Sequence, residues 1–555
     1  MILLKRALAA AMVMTSAAAT AEAARTPAEI GEAIYLHGVL ASGAELQALR
    51  EGGGPGARGA AAACVNCHLR SGLGSTHQSR GIGATAAINQ IPPVAGRYLF
   101  ESGIAGKGKP DLPYVDGMRT RRSPYTDATL ARAIREGIDA DGRKIGYLMP
   151  RFALADDDLA ALIAYLKTID PTRVPGVTDT TLHFATIITP DVDPGRRRAM
   201  LNVMEAFFAE RNVRQMKPSA QIQASGRTQY SRSMFMVHRQ WQLHVWDLKG
   251  PASGWGAQLA GFFAREPVFA VISGLGGSNW APVHEFCERQ RLACLFPNVE
   301  VPVDSPGDFY EIYLSRGVLL EAELIADGIK QVAAQQPVKT VVQAYRAGDS
   351  GEAAARLLGD RLRAQGIEVK AAVLPADGHD VGAARAAASG ADVLVLWLRA
   401  ADLAALGGAQ GAPPSVFMSG LMGGLERAPL PAAWRARTRM AYPVDLPQRR
   451  VVRVDYPMGW FRIRKIPVVD EQMQADTYLA CGLLSEALKD MVGTFYGPYL
   501  IEELQAMVEH RVVTGYYPWL SLGENQHFAS KGGYLVHFAG PEGTRIAADS
   551  DWIVP

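Results

Sequence analysis

The feature that most constrains this chain is the stretch ACVNCHLRSG, which begins at Ala63. Cys64 and Cys67 are separated by two residues, and His68 follows directly. Two thiols one helical turn apart can form thioether bonds to the vinyl groups of a porphyrin, while the adjacent histidine binds the iron. A zinc half-site would need a second pair of suitably spaced ligands, and a thioredoxin-like dithiol would need a neighbouring β-α-β pattern. The sequence shows neither, so the motif predicts one covalently attached haem c.

The N-terminus predicts that the chain is exported. Lys5 and Arg6 precede a short apolar run, and small residues of the A-x-A type lie at Ala21 to Ala23. This order is typical of a secretory signal peptide, here residues 1–23. A membrane anchor is disfavoured because the run is short and rich in alanine, and no later stretch reaches the ~20 apolar residues of a transmembrane helix. The expected location is therefore the periplasm.

Length and charge limit the architecture and the partners. The chain has 555 residues, 48% of them hydrophobic, which is too much for a single core and predicts several domains. The formal net charge is +2 with 20% charged residues. This near balance argues against nucleic acid or an anionic membrane as the main partner.

The pattern of the chain changes once along its length. Residues 27–170 combine helical segments with a glycine-rich surround of the haem motif and form one predicted domain. Residues 171–180 contain proline and turn formers without periodicity and are predicted to be a linker. In residues 181–555 apolar strands alternate with helices, which predicts parallel sheets covered on both faces. This region is long enough to predict two α/β lobes.

A methionine is the predicted second axial ligand of the iron. Met149 lies just before Pro150 in GYLMPRF, ahead of the last helix of its domain. The order of C-x-x-C-H, long loop, Met-Pro and closing helix resembles the class I c-type cytochromes over residues 27–170. The resemblance implies an all-α fold in which Met149 is the distal ligand, and a thioether ligand favours electron transfer. Met118 and His77 are weaker alternatives.

The second part of the chain resembles another family. The segments VFAVISGLGGSNWAPVHEFCERQRLACLFPN and KTVVQAYRAGDSGEAAARLLGDRLRAQGIEV are similar to type I periplasmic solute-binding proteins of the leucine/isoleucine/valine class. The resemblance covers most of residues 181–555 and implies a two-lobed domain that binds a small organic solute. In that family the serine matching Ser278 holds the carboxylate of an amino-acid ligand. The alternative is that Ser278 and the glycines before it only form the turn and cap the helix.

Further ligand-binding candidates follow predicted strands, where ligands of open α/β sheets bind. They are Asn279, Trp280, Tyr345, Arg346, Asp349, Arg399 and Tyr442. Each is equally compatible with a packing or surface role. The sequence does not place an acidic residue for a ligand ammonium, which disfavours an amino acid and leaves a small polar or aromatic organic solute.

The cysteines outside the haem motif are interpreted as structural. Cys287 and Cys294 lie close together where a helix turns into a strand, and an oxidising compartment favours a disulfide between them. Cys481 is expected to be a buried helix residue.

Three functions are compatible with these features. The preferred one is a periplasmic electron carrier whose binding domain recognises a small organic solute or a redox partner, such as a dehydrogenase or a terminal oxidase chain. The second is the receptor of an ABC importer, with an ABC permease as partner and an accessory cytochrome. The third is a haem oxidoreductase that acts on the bound solute. Met149 argues against this third function, because a six-coordinate iron leaves no open position for a substrate. We therefore expect that the protein is not an enzyme.

Overall fold

The computed structural model of the protein describes residues 25–50, 56–74, 91–101, 122–216, 239–378, 380–408, 413–491, 494–508, 513–523, 526–540, 543 and 545–555. The predicted signal peptide lies outside these ranges, as do the alternative iron ligands His77 and Met118. Over the ranges given, no helix has the length and apolar character needed to cross a bilayer.

Two compact units make up the described chain. The smaller unit falls within Met1–Cys67, Val94–Ser102 and Arg122–Ile169, and the larger within His68–Pro93, Gly103–Arg121 and Asp170–Pro555.

Helices dominate the smaller unit and the adjoining haem motif. Their bounds are Pro27–His37, Val65–His68, Gly96–Phe100, Asp127–Glu136 and Asp156–Thr168, with a 3-10 turn at Gly59–Ala62. Three short strands, β1 (Gln47–Leu49), β2 (Ala57–Arg58) and β3 (Arg151–Phe152), add a small antiparallel sheet in the order β2-β1-β3. The expected all-α fold does not include this sheet, because two- and three-residue strands leave no alternating pattern in the sequence.

The first helix begins and packs as its sequence dictates. Thr26 and Glu29 form a capping box, in which each side chain accepts a hydrogen bond from the other residue's backbone N–H. The helix packs against Asp156–Thr168, the closing helix of the unit. At the contact a Cβ on Gly31 would lie 2.0 Å from the carbonyl oxygen of Ala161, so glycine is required for this approach.

The larger unit contains two sheets. The first has six parallel strands, in the order β14-β8-β7-β6-β4-β5. They are β4 (Thr181–Ile188), β5 (Gln240–Asp247), β6 (Ala270–Ile272), β7 (Ala293–Leu295), β8 (Glu311–Ser315) and β14 (Phe528–Ser530).

The second sheet has seven strands, in the order β10-β9-β11-β12-β13-β15-β16. They are β9 (Thr340–Arg346), β10 (Glu368–Leu374), β11 (Val393–Trp397), β12 (Ser415–Ser419), β13 (Thr438–Tyr442), β15 (Tyr534–Ala539) and β16 (Arg545–Ala548). The first five are parallel, and the last two pair antiparallel.

Both sheets follow the same winding. Counted along the chain, the second strand lies outside the first, and the third lies on the first strand's other side, which is the 2-1-3-4-5 order of doubly wound α/β folds. In such folds ligands bind beyond the carboxyl ends of the strands, where the winding changes direction. The predicted two-lobed α/β fold is confirmed.

Helices cover the two sheets. Their bounds are Pro194–Met216, Trp255–Arg265, Ala281–Gln290, Gly317–Ala333, Ser350–Ala364, Gly382–Ala388, Ala400–Ala405, Gly420–Gly423, Ala432–Arg435, Pro447–Arg464, Glu471–Asp490 and Gly497–Met507, with 3-10 turns at Ala252–Gly254 and Leu425–Arg427.

The chain passes between the lobes three times. It leaves the first sheet after β8, because the helix Gly317–Ala333 packs on the second sheet. It returns after β13, since the helix Glu471–Asp490 packs against Pro194–Met216 in the first lobe. It crosses again between β14 and β15.

The predicted disulfide is present. Cys287 in the helix Ala281–Gln290 is joined to Cys294 in β7, with an S–S distance of 2.00 Å. Both cysteines are buried in the core of the first lobe. Cys481 is also buried, within Glu471–Asp490, and burial raises the pKa of its thiol to about 12. That thiol is therefore protonated and unreactive at neutral pH.

Candidate haem site and solute cleft

Cys67 and His68 of the haem motif lie on the short helix Val65–His68, and Cys64 directly precedes it. The side-chain amide of Asn66 donates a hydrogen bond to the carbonyl oxygen of Ala60 (2.9 Å), which ties this helix to the turn before it. Cys64 is half-buried, Cys67 is exposed, and neither takes part in a disulfide. Neither thiol is therefore consumed in a disulfide, as two thioether bonds to one porphyrin require.

The ring of His68 is oriented by the main chain. Its Nδ1 lies 3.0 Å from the carbonyl oxygen of Pro92, so Nδ1 carries the proton and Nε2 is left to bind iron. Burial lowers the pKa of His68, which keeps the ring in the neutral form that ligates a metal. The residues of the motif thus fit a covalently attached haem.

Met149 lies in a loop that is held by Arg151. The Arg151 guanidinium donates to the carbonyl oxygens of Met149 (2.5 Å) and Ile145 (3.2 Å). A Cβ on Gly137 would lie 1.9 Å from Arg151 Cζ, so glycine makes room for the guanidinium. The side chain of Met149 is half-buried. Its role as the distal iron ligand stays a prediction.

The main chain just after His68 belongs to the larger unit. The backbone N–H of Ser71 donates to Oε1 of Glu502 at 2.8 Å, and the Arg70 guanidinium lies 4.4 Å from the centre of the Phe309 ring. Burial raises the pKa of Glu502 to about 8. Side chains distant in the sequence therefore hold the segment that follows the proximal histidine.

A cavity of about 520 Å³ lies between the two lobes of the larger unit. Gly276, which follows β6, and Ala400, which follows β11, contribute to its wall, so the cavity lies at the carboxyl ends of both sheets. Ser315 and Pro443, next to two of the crossings, also line it. Its volume is within the roughly 300–1,000 Å³ of small-molecule sites. This cleft is the candidate solute site.

The wall of the cleft is rich in acidic side chains. Its carboxylates belong to Glu300, Glu426, Asp470, Glu471 and Asp476. Four of them are paired with arginines: Glu300 with Arg399 (2.6 Å), Glu426 with Arg450 (2.7 Å), Asp470 with Arg196 (2.9 Å) and Glu471 with Arg427 (2.9 Å). Asp476 forms no ion pair within the described part of the chain.

The Glu300 pair links the two lobes. Glu300 follows β7 of the first lobe, whereas Arg399 follows β11 of the second and also binds Asp349 (2.6 Å). The Ser350 hydroxyl donates to Glu300 Oε2 at 2.6 Å. Burial tends to raise the pKa of Glu300, but the Arg399 guanidinium outweighs it and the pKa is lowered. The carboxylate is therefore charged at neutral pH.

Asp476 differs from the other four carboxylates. It lies in the helix Glu471–Asp490 and is only 7% exposed. Its Oδ2 accepts a hydrogen bond from the Tyr517 hydroxyl (3.2 Å), and the Gln472 side chain also hydrogen-bonds to the carboxyl group. Its buried Oδ1 has no partner among the described residues. Burial raises the pKa of Asp476 to about 8.

The sequence matches one family model, that of cytochrome c, over residues 55–170. These residues are a cytochrome c domain. The match includes the haem motif, Met149 and the closing helix, and it confirms the resemblance inferred from their order. Cytochromes of this family hold haem c. None of the curated proteins compared with the whole sequence matches it.

The larger unit is similar in structure to several solute-binding proteins. One is the fatty acid ABC transporter substrate-binding protein from Thermomonospora curvata, with 16% identity and a TM-score of 0.49 over 69% of this chain and 95% of that one. Another is the branched-chain amino acid binding protein LivJ from Streptococcus pneumoniae in complex with isoleucine, with 13% identity and a TM-score of 0.46 over 68% of this chain and 100% of that one. A third is a branched chain amino acid ABC transporter from Thermus thermophilus with bound valine, with 11% identity and a TM-score of 0.49 over 68% of this chain and 97% of that one.

The structure does not bring the predicted ligand-binding residues together. Ser278, Asn279, Trp280, Tyr345, Arg346, Asp349, Arg399 and Tyr442 are all described, and none of them lines the cavity. Of the Gly-Ser turn only Gly276 reaches the wall. The N–H of Gly277 already donates to the Thr189 hydroxyl (3.3 Å), and Asn279 Oδ1 accepts from Ala281 N (3.3 Å). These contacts are made within the protein, and the helix Ala281–Gln290 has Trp280 at its N-cap without a side-chain hydrogen bond, so Ser278 does not cap it.

Trp280, and Tyr345 and Arg346 at the end of β9, have packing roles instead of the predicted ligand-binding role. The Trp280 ring is buried, and its N–H donates to Glu311 Oε1 (2.5 Å). Tyr345 packs on the core of the second lobe. The Arg346 guanidinium is bonded to the Asp402 carboxylate (2.5 Å). A residue that follows a strand satisfies the sequence criterion even when its side chain turns away from the cleft.

Arg399 and Tyr442 do not line the cavity, but each binds a carboxylate that does. Arg399 holds Glu300, and the Tyr442 hydroxyl donates to Glu426 Oε2 at 2.6 Å. They therefore position carboxylates of the cleft.

A buried histidine beneath the Gly-Ser turn forms a polar network. His284 Nε2 lies 2.6 Å from Asp308 Oδ2, and its Nδ1 lies 2.8 Å from Glu311 Oε2. Burial lowers the pKa of His284, but the two carboxylates outweigh it and raise the pKa to about 9. Glu288, close to the same ring, accepts hydrogen bonds from backbone N–H groups such as that of Phe309. These contacts satisfy the cluster without a metal.

The sequence predictions missed Asp476, although a signal was present. In the segment EQMQADTYLACGLL it is spaced three residues after Met473 and four before Ala480, so an acid lies on the apolar face of a helix. A buried acid without a cation is unusual and marks functional sites.

Proposed function

We propose that the protein is an exported electron carrier that binds a small organic solute in the cleft of its larger unit. The observation that carries the electron-transfer part is the geometry of the haem motif, in which His68 is neutral and Nε2 is left to bind iron. The solute part is supported by the cleft and its uncompensated carboxyl group. The partner that exchanges electrons with the haem would be a periplasmic dehydrogenase or a terminal oxidase chain.

Six residues would build the haem site. Cys64 and Cys67 would hold one haem through thioether bonds, and His68 and Met149 would be its axial ligands. A haem ligated by histidine and methionine supplies one-electron transfer at a raised potential. The Pro92 carbonyl fixes the plane of the His68 ring, and Arg151 fixes the backbone that carries Met149.

Spectroscopy of the purified full-length protein tests this part. We expect a covalently bound haem, reversible one-electron reduction and no binding of carbon monoxide to the reduced protein, because both axial positions are filled. Rapid binding of carbon monoxide would contradict the electron-carrier assignment and would favour the third function, an oxidoreductase that acts on the bound solute.

A second candidate is the solute receptor of an ABC importer, which the two-lobed cleft favours. Solute binding alone does not distinguish the candidates. We expect the solute to change the rate at which the haem is reduced if binding and electron transfer are coupled. A solute that binds but leaves this rate unchanged, and that is imported only in cells with the protein, would favour the receptor.

A further inference from the structure

We propose that the cleft binds an organic monocation, an amine without a carboxylate, whose ammonium group pairs with Asp476. This inference rests on the proposed solute-binding function and names the chemical class of the solute. It is carried by the pairing of charges around the cavity.

The carboxylates of the wall differ in whether they have a cationic partner. Each of Glu300, Glu426, Asp470 and Glu471 has an arginine within 2.9 Å, although Arg399 is shared between Glu300 and Asp349. Asp476 remains without a cation among the described residues. One positive charge on the solute would supply the partner that Asp476 lacks.

One oxygen of the Asp476 carboxyl group lacks a hydrogen bond. Asp476 Oδ1 is buried without a partner, and a buried polar atom of this kind costs stability unless a ligand satisfies it. An ammonium group offers three N–H donors. Tyr517 and Gln472 already form hydrogen bonds with the carboxyl group, so the solute has to supply only the remaining donor.

The arginines of the wall disfavour a carboxylate on the solute. The basic residues that line the cavity are Arg196 and Arg427, and both are bound to acidic side chains. A carboxylate in the cleft would face several acidic groups and find no uncommitted cation in the described wall. An amino acid is therefore disfavoured, whereas its decarboxylated amine is not.

The lining also provides for the body of the solute. Leu421, Gly423, Gly424 and Leu425 of the second lobe line the cavity, as does Met473, one helical turn before Asp476. The two leucines and the methionine contribute apolar side chains, and the glycines leave room beside them. An amine with a compact hydrocarbon body fits this combination of one acid and an apolar wall.

The protonation state of Asp476 should make amine binding depend on pH. Burial raises the pKa of Asp476 to about 8, and the charge of Asp470 contributes to the rise. At pH 7 the empty cleft therefore holds a neutral carboxyl group, and an ammonium group that binds must displace its proton. Amine affinity should rise with pH up to about pH 8, and binding at pH 7 should release close to one proton.

Titration calorimetry of the full-length holoprotein tests the inference. The probes are isopentylamine, isopentyl alcohol, isocaproate and leucine, which share one branched skeleton, together with linear and aromatic amines and their matched alcohols and acids. We expect the amines to bind with proton release, measured in buffers of different ionisation enthalpy, and the alcohols, acids and leucine to bind weakly or not at all.

The variant Asp476→Asn keeps the shape of the side chain and removes its charge. We expect it to lose roughly 30-fold or more in amine affinity. Asp490→Asn, the same change at the exposed end of the same helix, is the matched control and should bind like the unaltered protein. If Asp476→Asn fails to fold, the proton release of the unaltered protein still decides the question.

The outcomes separate the inference from the proposed function. Binding of the alcohol, acid or amino acid in preference to the amine, or amine binding without proton release and unaffected in Asp476→Asn, would overturn the cation assignment and leave a solute-binding cleft. No binding by any probe would overturn both and leave a docking role for the larger unit.

Discussion

The haem motif and the cleft are functional sites of opposite construction. The motif places two thiols and one imidazole within five consecutive residues, on a single helical turn. The wall of the cleft combines residues from Arg196 to Tyr517, brought together by two sheets and three crossings. A short segment can therefore specify covalent chemistry, whereas recognition of a solute requires the assembled lobes.

The two sites also differ in how they control charge. Burial alone keeps the proximal His68 neutral. In the cleft, burial would neutralise the carboxylates as well, but arginines keep Glu300 and Glu426 ionised, and their pKa values are lowered. Asp476 lacks such a partner, so burial, together with the charge of Asp470, raises its pKa. The contrast distinguishes Asp476 as the carboxyl group of the wall that has no cation among the described residues.

The largest expected effect concerns the covalent bond of the haem motif. The double variant Cys64→Ser, Cys67→Ser removes both thiols, so we expect no haem to stay with the chain in denaturing electrophoresis with haem staining. Cys481→Ser, a buried cysteine outside the motif, should stain fully. Staining of the double variant would show that the haem is attached elsewhere.

The next effect tests the axial ligand. Met149→Ala removes the thioether, so we expect the midpoint potential to fall by on the order of 100 mV, within the ~0.8 V that axial ligands span. The long-wavelength absorption band of sulfur-ligated ferric haem should disappear. Met118→Ala is the control and should change neither. If the two variants behave in the opposite way, Met118 is the ligand.

A smaller effect tests the link between the lobes. Arg399→Ala leaves Glu300 and Asp349 without their cation, so we expect a loss of about 2 kcal/mol in the free energy of unfolding. Urea denaturation followed by circular dichroism measures it. Arg356→Ala removes a 73% exposed guanidinium that lies 3.8 Å from Glu352, and it should cost under ~0.5 kcal/mol. Equal losses in both variants would contradict a specific role for Arg399.

A last effect is a pH dependence of stability. Glu321 is buried beneath Leu421, whose N–H it accepts at 2.9 Å, and burial raises its pKa to about 8. The folded protein therefore holds a proton that the unfolded chain releases above about pH 4.5, so stability falls as pH rises from about 5 to 8. The shift from 4.5 to about 8 corresponds to at most about 5 kcal/mol from this group. Asp476 and Glu502 contribute in the same pH range, so Glu321→Gln should reduce the slope without abolishing it, and the exposed Glu368→Gln should leave it unchanged. An unchanged slope in Glu321→Gln would exclude this origin.

The sequence by itself determined the features that depend on neighbouring residues. The haem motif identified its cofactor, because attachment needs only two thiols and an imidazole at fixed spacing. The capping box at Thr26 and Glu29 fixed where the first helix begins. Apolar strands alternating with helices predicted the two-lobed fold, since burial on both faces of a sheet leaves a pattern along the chain.

Tertiary structure alone decided which side chains face the cleft. Trp280 follows β6 and Arg346 ends β9, yet both side chains turn into the protein and bind Glu311 and Asp402. Asp476 lies on a helix that comes late in the chain and reaches the cavity only because the chain returns to the first lobe after β13. Long-range pairing, such as that of Glu300 with Arg399, depends on distances in space. Local periodicity does not encode those distances.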